Sequence, residues 1–295
     1  GVRIPRQPLP RRLWLHRKAV ILMKKKNSQM SSSLAVGILL ALAGGFMDAY
    51  SYMARGHVFA NAQTGNILLF AVAIAALVPP GARLADVGTD HAYLPVWLLL
   101  AGRIQGAVAS DVNQGPLQRG RDTARSYGVA EQMTFRRCDG LAGISPQEAD
   151  TVVIAGMGGD LMARILAAAP WTRRVRLILQ PMSSQEVLRA WLVDQGYVIQ
   201  GETLAREGEK FYNILTATGG VSPAYTPGEL WAGRQRQGEE NPHRLDYLTH
   251  LLRRRQRALA GMAKSTALAP EVLAAERALV EELERMKEEW MQWQR

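Results

Sequence analysis

After Val78-Pro79-Pro80-Gly81 the chain alternates short apolar runs rich in β-branched residues with stretches of helical character, the pattern of a parallel α/β sheet. Strands are expected over 83–87, 106–111, 133–137, 151–155 and 176–179. Two more runs, 197–204 and 211–217, add an antiparallel pair at the edge. From Leu245 the period changes. Leu245, Leu248, Leu252, Leu259 and Met262 keep a three-four spacing if Arg255 fills one seam position, and Val272, Leu279, Leu283, Met286, Trp290 and Trp293 do so across Glu276. This predicts an antiparallel helical hairpin, or short coiled coil, turned near 265–270.

Upstream of the sheet, apolar stretches of 14 residues (34–47) and 12 residues (67–78) both fall short of the ~20 needed for a membrane-spanning helix. Membrane association through 34–78 is compatible with them but not required. Lys24 to Lys26 before an apolar core, with Ala41-Leu42-Ala43 behind it, also admit a signal-peptide reading. The chain divides into a basic, disordered arm (1–33), an apolar helical segment (34–73), an α/β domain (74–220) and a helical hairpin (221–295).

Charge changes the picture less than its total suggests. The formal charge is +10, but 1–33 holds nine basic residues and no acid, so the rest is nearly neutral and RNA binding must rest on local clusters. A single cysteine, Cys138, excludes an internal disulfide and a thiolate zinc site, and five scattered histidines give no metal spacing; no metal is expected.

Ligands of doubly wound sheets bind beyond the carboxyl ends of the strands, so the residues there carry the chemistry. The first turn, Asp86-Val87-Gly88-Thr89-Asp90-His91-Ala92, lacks the G-x-G-x-x-G that brings a pyrophosphate to a helix N-terminus, which disfavours a dinucleotide. Its acids suit a ligand bearing sulfonium and ammonium cations, as S-adenosyl-L-methionine does. Asp111 ends the second strand, near the offset at which an acid meets ribose hydroxyls, and Asp139-Gly140 follows the third, where an adenine edge is addressed. The cofactor candidates are therefore Asp86, Gly88, Thr89, Asp90, His91, Asp111, Asp139 and Gly140.

Several ordered motifs carry a resemblance. Leu84-Ala85-Asp86-Val87-Gly88-Thr89-Asp90-His91-Ala92-Tyr93-Leu94-Pro95, Gly115-Pro116, Ile154-Ala155-Gly156-Met157-Gly158-Gly159 and Leu177-Ile178-Leu179-Gln180-Pro181 together resemble the TrmK family over about 74–218. The resemblance implies a Rossmann-like class I methyltransferase sheet followed by a helical domain. It also implies a cytoplasmic enzyme that methylates N1 of adenosine 22 in tRNA with S-adenosyl-L-methionine. Met182 stands where relatives carry Asn. The family's N-terminal helix is replaced by a segment, about 34–70, that resembles YoaK-like membrane proteins in Gly44-Gly45-Phe46-Met47-Asp48-Ala49-Tyr50-Ser51-Tyr52 and Phe59-Ala60-Asn61-Ala62-Gln63-Thr64-Gly65-Asn66.

Adenine N1 owns a lone pair, so positioning dominates over base catalysis, and nearby oxygens would stabilise the cationic product. Gly156, Met157 and Gln180 are expected to line the target base. Arg253, Arg254 and Arg257 near the hairpin, with Arg119, Arg121 and Arg125 beside the crevice, are candidates for tRNA phosphates. Two alternatives remain at this point: a chimeric or truncated YoaK-like fragment with an incidental or inactive methyltransferase portion, and a noncatalytic RNA-binding module.

Overall fold

The computed structural model describes residues 71–265 and 268–294. Its elements are α1 (71–77), β1 (Ala82–Val87), α2 (Tyr93–Leu100), β2 (Ile104–Asp111), α3 (Gln114–Ser126), β3 (Met133–Arg137), β4 (Thr151–Gly158) and α4 (Gly159–Ala167). They continue with β5 (Arg176–Ser183), α5 (Gln185–Asp194), β6 (Tyr197–Glu207), β7 (Lys210–Gly219), α6 (Pro227–Ala232), α7 (Arg244–Met262) and α8 (Pro270–Trp293). The expectations for the basic arm, for 34–70 and for a signal peptide lie outside the described residues. Among the described residues no helix is long and apolar enough to cross a membrane.

The seven strands form one sheet in the order β3-β2-β1-β4-β5-β7-β6. β1 to β5 are parallel, β7 runs antiparallel to β5, and β6 antiparallel to β7. Helices cover both faces, which is why the central strands read as unbroken apolar runs. On one face Val152, Ile154, Leu177 and Leu179 pack under Met162, Ile165 and Leu166 of α4 and Leu188 and Leu192 of α5. On the other, Leu84, Ala109, Val153 and Ile178 lie in one cluster with Ile74, Ala75, Val78, Val96 and Leu98. Ile74, Ala75 and Val78, at the end of the segment before β1, thus belong to the sheet's core.

All seven expected strands are present. β4 and β5 run further than expected, to Gly158 and Ser183, because register shifts on either side of Met157 let the pairing continue past Gly156, whose φ is +75°.

A third cluster joins Leu204 of β6 to Tyr247, Leu248, Leu251 and Leu252 of α7 and Leu279, Val280, Leu283, Met286 and Trp290 of α8. The expected seam is corrected at two positions: Leu245 and Val272 are exposed, while Tyr247, Leu251 and Val280 are buried. α7 faces α6 and the sheet edge as well as α8, so its apolar stripe is wider than a two-helix seam. The two non-apolar seam residues meet each other: Arg255 donates from Nε to Glu276 (2.8 Å), beside Trp231, and Glu276 is buried.

Candidate functional site

The sheet reverses its winding between β1 and β4, and the turns beyond β1, β2, β3 and β4 converge there. Backbone pairing sets their levels. Val87 lies opposite Ser110 of β2 and Ile154 of β4, and Asp111 lies opposite Arg137 of β3. Gly88 N–H (2.8 Å) and Thr89 N–H (3.0 Å) both donate to the Ser110 carbonyl, and Cys138 N–H donates to the Asp111 carbonyl (3.1 Å). Ser110 Oγ donates to the Gly140 carbonyl (3.2 Å). The three turns expected to hold a ligand are therefore tied to one another through Ser110, a buried residue that sequence reasoning missed; a small polar residue one position before a strand-end acid was the only signal.

Asp86 is 7% exposed, and Thr89 Oγ1 donates to its Oδ2 (2.5 Å). Burial raises its carboxyl to about pKa 6, against the lowering effect of the Thr89 bond. A carboxylate desolvated this far, with no cation beside it among the described residues, suits a cationic ligand. Asp111 is half-buried, and its Oδ1 accepts from Asn113 N–H (2.8 Å), which orients the carboxylate. Gly88 takes φ +73°, and a Cβ there would strike Met157 Cε, so the Met157 side chain lies directly over the β1 turn. Asp139 is exposed, and Gly140 (φ +54°) lies against Ile165.

Other candidates are differently engaged. Asp90 is exposed and pairs with Arg119 (2.5 Å). His91 lies 3.7 Å from Asp90 and stacks on Tyr93, whose hydroxyl burial pushes up to about pKa 12. Arg125 pairs with Asp122 (3.3 Å), and Arg121 lies over the Phe135 ring. On α7, Arg253, Arg254 and Arg257 are exposed and form no ion pair among the described residues. Together with burial they lower the pKa of nearby His250.

Gln180, expected to face the target base, is fully buried instead. Its Oε1 accepts from Gly156 N–H (3.0 Å), and its Nε2 donates to the Pro181 carbonyl (3.1 Å). A side chain with both ends bonded to backbone holds the Gly156 turn rather than presenting itself. Gly156 is exposed, with open space where a Cβ would stand, and Met182 beside it is 53% exposed. Backbone strain gathers in the same region: Asp90, Ala92 and Ser184 have positive φ, in the turns after β1 and β5. A cavity of about 210 Å³ elsewhere, lined by Thr203, Thr216, Glu239 and Asn241, includes none of these turn residues.

These features meet likenesses of three kinds. A family model described as a methyltransferase domain matches residues 71–215. The tRNA (adenine(22)-N(1))-methyltransferase of Bacillus subtilis is 38% identical over 157 residues, covering 52% of this chain and 66% of that protein. Among solved structures, Streptococcus pneumoniae Sp1610 in complex with S-adenosyl-L-methionine is 32% identical with a TM-score of 0.63, covering 72% of this chain and 97% of its own. The Bacillus subtilis m1A22 tRNA methyltransferase TrmK is 29% identical with a TM-score of 0.62, over 76% and 96%.

Proposed function

Because the chain belongs to the TrmK-like family of tRNA (adenine(22)-N1)-methyltransferases, we propose that it methylates N1 of an adenosine in tRNA, at position 22, using S-adenosyl-L-methionine. The observation that carries the reading is the joining of Asp86, Asp111 and the glycine-rich β4 turn at one strand-end crevice. The residues present fit the cofactor: Asp86 is an anion lacking a cation among the described residues, and Gly156 leaves its Cβ position bare, while at Gly88 that place is taken by the unbranched Met157 side chain. Asp86 would hold a cationic group, Asp111 the ribose hydroxyls, and Asp139 with Gly140 the adenine edge. When bound, S-adenosyl-L-methionine supplies an electrophilic methyl group.

The chain's own contribution is placement. Gln180 fixes the Gly156 turn against β5, so the exposed backbone there meets the target base in one conformation. Met157 and Met182 flank that turn with polarizable, apolar surface. Adenine N1 attacks with its own lone pair, so no side chain has to remove a proton beforehand. Adenosine 22 is part of a folded tRNA and must leave its stack to reach the crevice. We read the α7–α8 pair as a short coiled-coil arm whose Arg253, Arg254 and Arg257 dock phosphates; tRNA as substrate implies a cytoplasmic site of action.

Incubating the protein with S-adenosyl-L-methionine and a tRNA transcript should yield 1-methyladenosine by mass spectrometry of the digest, absent when adenosine 22 is replaced by guanosine. Cofactor binding with no methyladenosine would instead support a noncatalytic module. Changing Arg254 and Arg257 together to Ala should raise the KM for tRNA several-fold and reduce the slope of log KM against log salt by about one to two, leaving cofactor affinity intact. Identical kinetics across salt concentrations would assign both arginines to solvent.

A further inference from the structure

The turn after β5 is gripped from two sides. On the site side, a Cβ on Gly159 would strike the Ser184 carbonyl, and one on Gly158 would stand 3.1 Å from Ser183 Oγ, so the β5 turn lies against the start of α4 and the glycine-rich turn before it. Ser184 itself is held at φ +52°, a left-handed conformation that costs a non-glycine residue and persists only where its surroundings enforce it.

The enforcement comes from the far side. Gln185, the next residue, accepts at Oε1 from Asn213 Nδ2 (2.9 Å) and from the Tyr247 hydroxyl (3.3 Å), which shares its one proton between Gln185 and the Trp231 carbonyl (3.2 Å) and itself accepts from Asn213 Nδ2 (3.2 Å). Asn213 is 1% exposed and Tyr247 6% exposed. Asn213 Oδ1 accepts from Arg189 Nη2 (3.3 Å), and fully buried Arg189 is fixed by Glu202 (2.7 Å) and the Leu230 carbonyl (2.7 Å). Tyr247 belongs to α7, the helix that carries Arg253, Arg254 and Arg257.

We propose that Tyr247 and Gln185 are positioning residues: through their hydrogen bond, the helix that docks tRNA sets the β5 turn, and thereby the glycine-rich turn that receives the base. This rests on the reading of the chain as a tRNA methyltransferase. It couples two roles that would otherwise be independent, since α7 can hold phosphates only in a position consistent with the crevice.

The test uses the full chain with Tyr247→Phe, which removes one oxygen, Gln185→Met, which keeps the length, and the double variant. With tRNA and saturating S-adenosyl-L-methionine, each single variant should lose about tenfold in kcat, the scale of one lost hydrogen bond, with KM for tRNA within about twofold and cofactor affinity by calorimetry unchanged. The double variant should be slower than Gln185→Met, but its loss should be much less than the product of the two single effects, because Gln185→Met already breaks the Tyr247–Gln185 bond along with the Asn213 bond. Hydrogen exchange should quicken at residues 182–186 and stay unchanged in α8. Active wild type with unaltered kcat in both variants, or with a lowered unfolding midpoint as the only effect, overturns the inference alone. A wild type that makes no methyladenosine overturns the proposed function; unchanged exchange at 182–186 in Tyr247→Phe would then overturn the link as well.

Discussion

Asp111→Ala is expected to weaken S-adenosyl-L-methionine binding by about 2–3 kcal/mol, roughly thirty- to two-hundredfold in Kd, the range for losing hydrogen bonds to a charged group. The carboxylate is half-buried and pre-oriented by Asn113 N–H, so little freedom is lost when hydroxyls bind it. Asp111→Asn keeps an acceptor for Asn113 N–H but removes the charge, and should fall between wild type and alanine. Calorimetry decides, with thermal unfolding as the control for the turn. Wild-type affinity in Asp111→Ala would take Asp111 out of the site.

Asp86→Asn is expected to move stability and binding in opposite directions. Burial raises the folded-state carboxyl to about pKa 6 from its ordinary value of 3.8. The folded protein therefore holds a proton more tightly than the unfolded chain between these values, and stability falls as pH rises through them. Above pH 6 the charged form costs on the order of 3 kcal/mol, at 1.36 kcal/mol per pK unit. Asparagine can still accept from Thr89 and carries no charge, so at pH 7.5 the variant should unfold at a higher temperature than wild type, with the difference vanishing near pH 4. Cofactor affinity should move the other way: the wild type should bind more weakly as pH falls through 6, and the variant should bind weakly at every pH. An unfolding midpoint at pH 7.5 no higher than wild type would mean that the carboxylate is already compensated.

The architecture was legible because each central strand is covered on both faces, so runs such as Val152-Val153-Ile154 and Leu177-Ile178-Leu179 stand out without a partner. The strand-end acids were legible for the same reason, since a strand's end dates the residue that follows it. What the residues could not disclose were contacts made across the fold. Arg125 has its acid three positions away on the same helix, but Arg119 meets Asp90 from 29 positions away, and no periodicity reports that pairing. Gln180 follows the expected end of its strand at 179, where exposure was the natural expectation, but β5 continues to Ser183. Only the bulge in β4, which turns Gly156 N–H toward it, explains why its amide is enclosed.

The ion pair between Arg255 and Glu276 also decides how the last two helices align. Sliding one past the other by a turn would separate a guanidinium from its carboxylate while leaving Glu276 among leucines, a penalty of several kcal/mol that a leucine shifted onto another leucine would never incur. Hydrophobic side chains make the two helices adhere, and this one charged contact tells them where to stop.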